Sequence, residues 1–155
     1  MLERWADVAL ADPWLVAGAV TQTVWNAISG LPPEHGVRDL DIVYFDGTDL
    51  NAEAEAADET RIRTLFSDIS VKPDVKNEAR VHLWHEARFG YAIPPYTSAE
   101  DAIATFPTTA TAIGVCMVGA KLEVIAPFGL ADIYEAKVAR WRELRPALYI
   151  RSWNG

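Results

Sequence analysis

Apolar and polar positions switch between a helical and an extended period along this chain, and the switches outline its elements. Leu2, Trp5, Ala6 and Val8 to Leu10 give Met1–Leu10 the pattern of a short amphipathic helix, broken at Asp12-Pro13. Trp14 to Ala17 is an apolar run suited to a short strand. After Gly18, Val20, Val24 and Ile28 recur on one helical face until Gly30 and Pro32-Pro33 stop it. A polar loop over Glu34 to Arg38 feeds a strand from Asp39 to a turn at Asp46-Gly47. Asn51 to about Phe66 reads as a helix, with Glu53, Glu55, Asp58 and Glu59 early and Arg61 and Arg63 late. That polarity suits the helix dipole and predicts a solvated face. Val71 to Val75 predicts a second strand, which Pro73 confines to an edge or a strand start.

Glu78 to Arg88 suits helical and extended patterns alike, and Gly90 to Tyr96, with Pro94-Pro95, is a loop. Ser98-Ala99-Glu100-Asp101 resembles a capping box opening a short helix to Phe106, ended by Pro107. Thr111 to Val118, a turn at Gly119-Ala120, and Lys121 to Ala126 predict a β-hairpin. Gly129 to Leu144 predicts a last amphipathic helix. Helices and strands mix without regular βαβ repetition, so the expected class is α+β: a small mixed sheet with flanking helices.

Composition narrows the setting. A chain of 155 residues, half of them apolar, suits one domain spanning 1–155 with a real core. The net charge of −8 argues against a general nucleic-acid surface. A single cysteine, Cys116, excludes an internal disulfide and a cysteine-based zinc site. No apolar run approaches membrane length or carries a leader's flanks, so a cytoplasmic protein without a membrane partner is expected.

The chemistry concentrates at Asp39-Leu40-Asp41. In a strand, residues i and i+2 share a face, so the two carboxylates project together. Like charges that close are solvated, protonated or bridged by a cation. An all-oxygen ligand set favours magnesium or manganese. Two-metal phosphoryl transfer holds cations roughly 3.5–4 Å apart between carboxylates, and a third acid completes such a site. Asp74, inside the apolar-flanked Val71-Lys72-Pro73-Asp74-Val75, is the best third candidate, with Glu78 a weaker rival. An Asp-x-Asp by itself is more often a solvated turn. Val16-Ala17-Gly18-Ala19-Val20 adds a small-residue turn between strand and helix. It suits either backbone approach to a phosphate or tight strand–helix packing through Gly18.

Other motifs have plainer readings. His82 and His85, beside Glu86, lack a third ligand at zinc-like spacing. Of six tryptophans, Trp25, Trp84 and Trp141 are expected in the core. Trp84, Tyr91 and Tyr96 flank the Pro94-Pro95 loop, where one of them could line an acceptor pocket. No Gly-x-Ser-x-Gly elbow supports a serine hydrolase.

Gly18-Ala19 followed by Asp39-Leu40-Asp41-Ile42 resembles the signature of the polymerase-β-type nucleotidyltransferase superfamily. More closely, the chain is similar to a group of small bacterial nucleotidyltransferase-like proteins of poorly defined substrate. The segments that carry this likeness are Ala17–Val20, Gln22–Asn26, Asp39–Asp46, Val75–Trp84, Thr109–Val115 and Ile125–Leu130, in the expected order. The resemblance implies transfer of a nucleoside monophosphate from a nucleoside triphosphate to a small-molecule, protein or RNA acceptor. Asp39, Asp41 and Asp74 would be the catalytic triad and the ligands of Mg2+ or Mn2+. Gly18 and Ala19 would meet the triphosphate, and Lys76, Asn77 and Arg80 would contact substrate, where Lys offers a point charge and Arg a fork. Position 19 departs from the superfamily's usual Ser or Gly, which leaves backbone amides, Thr21 or Gln22 to replace a hydroxyl contact. The Gly30-Leu31-Pro32-Pro33 loop also lengthens the interval from Gly18 to Asp39. The competing reading is a non-catalytic nucleotide-sensing or partner-binding module on the same fold.

Overall fold

The computed structural model describes residues 1–135. The chain opens with a 3-10 helix, Leu2–Val8, kinked at Arg4 rather than continuing as one amphipathic α-helix. The tighter turn still buries Trp5 and Val8. Then come β1 (Trp14–Val16), α1 (Ala17–Ile28), β2 (Asp39–Tyr44), α2 (Ala52–Leu65) and β3 (Lys72–Asn77). A single 3-10 turn, Glu78–Arg80, leads into α3 (Val81–Phe89), followed by α4 (Ala99–Ile103), β4 (Gly114–Val118), β5 (Lys121–Ile125) and α5 (Ala131–Tyr134).

The five strands form one mixed sheet in the order β3-β2-β1-β4-β5. β2 and β3 are parallel and every other pair is antiparallel. A parallel pair needs a crossover, and α2 supplies it. Pro73, which cannot donate to a ladder, lies in edge strand β3, where its position had confined it. The α+β architecture expected from the mixture of periods is therefore the one observed.

Ile42, Val75, Ile62 and Phe66, all under 2% exposed, tie β2, β3 and α2 into one core. Each such burial stabilises by about 1.5–3 kcal/mol. Gly114 is where β4 passes closest to its neighbours: a Cβ there would lie 3.0 Å from Ile103 Cδ1. The hairpin turn places Gly119 at φ +60°, a conformation open to glycine. β4 begins at Gly114 rather than Thr111, because Thr108 to Ile113 closes on itself through Ala112 N–H to Thr108 O at 3.0 Å.

Several expectations are corrected by tertiary partners. The apolar face of α1 buries Val20, but Ile28 in its last turn is 54% exposed. Among the described residues the buried tryptophans are Trp5 and Trp14, while Trp25 and Trp84, both expected in the core, are half-buried, and Trp25 donates from Nε1 to Ile133 O at 2.9 Å. The acidic side of α2 is not simply solvated, because the helix runs along edge strand β3 and meets cations there. Ser98 Oγ caps α4 by accepting from Asp101 N–H, while Asp101 accepts from Thr97 N–H, one residue short of a capping box. Trp141 and the helix expected beyond α5 lie outside the described residues. Among those described, no helix is long and apolar enough to cross a membrane.

Candidate functional site

The parallel pairing of β2 with β3 sets Asp41 directly beside Asp74, with Asp39 beside Lys72 and Val43 beside Lys76. Period-2 alternation keeps Asp39 and Asp41 on one face, and Asp74 and Lys76 share it across the ladder. Two carboxylates 33 positions apart in sequence thus become neighbours. A cleft of about 260 Å³ opens over them, lined by Asp41, Asp74, Lys76 and Glu78, with Ala17 at the strand–helix turn and Phe106 and Pro107 as its apolar wall. Asp39 does not line this cleft; it stands exposed at the start of β2.

The electrostatics follow from that packing. Burial, then the charges of Asp39 and Asp74, push the Asp41 carboxyl up to about 6, against a smaller opposing pull from Lys76. Lys76 Nζ sits 2.8 Å from Asp74 Oδ1 and 3.5 Å from Glu59 Oε2 on α2. Glu78 is 8% exposed, and burial followed by the charge of Glu55 raises its carboxyl to about 7. The weaker rival for the third acid therefore does reach the cleft. Its signal was present in Asp74-Val75-Lys76-Asn77-Glu78, where every second residue is polar and charged.

The strand–helix turn is built differently from its sequence reading. A Cβ on Gly18 would meet nothing within 4 Å, so close packing does not account for this glycine. The unusual backbone belongs to Ala17, at φ +54°, whose N–H donates to Ile113 O at 3.1 Å. Among the described residues no side chain caps α1. Exposed Gly18 lies in the first turn, at the positive end of the helix dipole, where helix amides have no intrahelical partner. Ala19 is 5% exposed and contributes only through its backbone. Of the substitutes for its missing hydroxyl, the two side chains are engaged elsewhere. Thr21 is buried and donates to Ala110 O at 2.8 Å, and Gln22 Nε2 donates to Asn26 Oδ1 at 2.8 Å.

Asn77 and Arg80 are engaged elsewhere. The Asn77 amide accepts from Asp46 N–H at 3.0 Å and Ala79 N–H at 3.1 Å, and donates to Asp46 O at 3.0 Å and Asp49 O at 3.1 Å. Arg80 donates from Nε to Leu50 O at 2.9 Å and pairs with Glu55 Oε1 at 2.5 Å. Both anchor the loop after β2 rather than line the cleft. His85 Nδ1 lies 3.0 Å from Tyr91 O, inside an aromatic cluster with Trp84 and Phe89. Tyr96 Oη meets Thr105 Oγ1 at 2.9 Å.

The donor set suits a hard divalent cation, because Asp41 and Asp74 offer adjacent carboxylate oxygens. Among the described residues, however, no three acidic, histidine or cysteine side chains converge tightly enough to hold one without rearrangement.

Comparison with known proteins places this geometry. The model of a nucleotidyltransferase family matches residues 3–151. A solved NMR structure, described as revealing a CCA-adding enzyme head domain, is 31% identical with a TM-score of 0.72. The match covers 88% of this chain and 68% of that one. No curated protein matches. A family match running almost end to end, on a polymerase-β-like fold shared with that head domain, shows that the chain belongs to the nucleotidyltransferase family.

Proposed function

We propose that this chain is a divalent-metal-dependent nucleotidyltransferase that moves a nucleoside monophosphate from a nucleoside triphosphate to an acceptor hydroxyl. The observation that carries the reading is the in-register Asp41–Asp74 pair in a cleft shared with the turn that opens α1. Asp39, Asp41 and Asp74 would hold Mg2+ or Mn2+, with Asp39 swinging in from the mouth of β2. A cation held there would supply neutralisation of the triphosphate and of the charge that develops during transfer. The Gly18 and Ala19 amides meet the phosphates at the helix N-terminus, and Lys76 adds a point charge. The acceptor oxygen attacks the α-phosphorus as pyrophosphate leaves, and Asp74 takes the acceptor's proton. Asn77 and Arg80 serve substrate indirectly, by fixing the loop beside the cleft. The acidic balance supports a small-molecule or protein acceptor over a long RNA. That balance and the lone cysteine fit a cytoplasmic setting.

The ammonium of Lys76 on Asp74 favours a second reading, a nucleotide-sensing module without turnover. Titration of labelled nucleoside triphosphates, with magnesium, manganese or chelator, tests the first. Binding should require the cation, and Asp41→Asn should weaken it at least tenfold while the circular dichroism spectrum is kept. Equal binding in chelator overturns the carboxylate site. Metal-dependent binding without label transfer to any component of a cell extract selects the sensor.

A further inference from the structure

Lys76 occupies an unusual place. Its Nζ lies 2.8 Å from Asp74 Oδ1, 3.2 Å from Val75 O and 3.5 Å from Glu59 Oε2, while its stem lines the same cleft as Asp41. An ammonium and a divalent cation compete for the same carboxylate oxygen, so the two cannot share Asp74 Oδ1 at ligating distance. The side chain is 40% exposed on a flexible four-carbon stem, free to turn without unpacking the core. Glu59 is a second anion within reach, 18% exposed and already paired with Arg63 on its other oxygen.

We propose that Lys76 is a built-in counter-ion for the carboxylate pair: it holds Asp74 in the metal-free protein and transfers to Glu59 and the triphosphate when metal and nucleotide load together. The inference rests on the metal-site reading above and adds an order of binding to it. A cation arriving alone must displace an ammonium that gains little by leaving. A cation arriving with a triphosphate brings the anion that takes that ammonium. The two ligands are thereby coupled through one side chain, each raising the other's affinity. Lys76 acts here as a positioning residue, and its effect is on the fraction of protein competent for metal.

Mn2+ binding to the intact chain, followed by the electron paramagnetic resonance signal of free Mn2+, tests this. It is measured with and without the α,β-methylene analogues of the four common nucleoside triphosphates. The wild type should bind Mn2+ weakly alone and at least fivefold more tightly with an analogue. Lys76→Met should bind Mn2+ alone about fivefold more tightly than wild type and lose most of the nucleotide-dependent gain. Glu59→Gln, which removes the second resting place, should bind Mn2+ alone more weakly than wild type. Circular dichroism confirms that each variant is folded. If Lys76→Met leaves metal affinity without nucleotide unchanged or lower, while Asp41→Asn abolishes it, the counter-ion role is overturned and the metal site stands. If Asp41→Asn binds Mn2+ as the wild type does, the site itself falls, and the counter-ion role with it.

Discussion

Gly18, next to the cleft-lining Ala17, and Glu78, within the cleft, stand differently toward stability. Gly18 has open space where a methyl would go, and it sits in the first turn of a helix. Gly18→Ala should therefore leave the fold intact or stabilise it by up to ~1 kcal/mol, since alanine is the better helix former. The same methyl would stand between phosphate and backbone, so triphosphate affinity should fall about tenfold. Thermal denaturation and a binding titration on one sample decide the matter, and equal loss in both would make Gly18 a packing residue after all. Glu78 is a buried acid whose folded carboxyl is raised to about 7 from an ordinary 4.5. Above pH 7 the folded state carries a charge it disfavours, and below about 4.5 both states are protonated and the cost vanishes. Glu78→Gln should thus stabilise the protein at pH 8 by about 3 kcal/mol, the gain fading as pH falls from 7 toward 4.5. Urea midpoints of both proteins across that range check the sign; a gain that grows toward acid pH refutes it. The acids themselves were legible in Asp39-Leu40-Asp41 and Val71-Lys72-Pro73-Asp74. The employment of Thr21, Gln22, Asn77 and Arg80 was not, because a polar side chain's partner is set by tertiary contacts that no local pattern encodes.

At the scale of elements, β3 was readable in outline because proline restricts where a strand can lie, and its edge position follows. Its parallel pairing with β2 was not readable, since short apolar runs carry no mark of direction. α2 illustrates the same limit. Its charge gradient was visible, yet Glu55, Asp58 and Glu59 turn inward to Arg80, Tyr44 and Lys76 because the helix lies along a sheet edge. Three of the four hydrogen bonds of the Asn77 amide tie the end of β3 to the loop after β2, and the fourth, from Ala79 N–H, caps the turn that follows β3. Asn77→Ala leaves two backbone donors and two carbonyls without these partners, a loss on the order of 2–4 kcal/mol. The urea midpoint should drop accordingly. A change under ~0.5 kcal/mol would mean that solvent replaces the amide and that the tie is incidental.

At the scale of the whole molecule, the net charge of −8 opposes long polyanions. Fluorescence anisotropy with a labelled single-stranded RNA of about thirty nucleotides should show no binding below ~10 µM at low salt. Micromolar binding with a steep salt slope would instead point to a basic track and restore RNA as a favoured acceptor. The topology bears on folding kinetics as well. The β2–β3 ladder joins positions 33 apart and cannot close until α2 has crossed over, and the β1–β4 ladder joins Leu15 to Val115, farther apart still. Contacts between positions far apart in sequence form slowly, because the loop entropy must be overcome first. The chain should therefore collapse and gain helix before Asp41 and Asp74 come together. In a stopped-flow refolding experiment, Mn2+ capture would lag behind the far-ultraviolet signal, making the metal ion a reporter of the docking of the parallel strand.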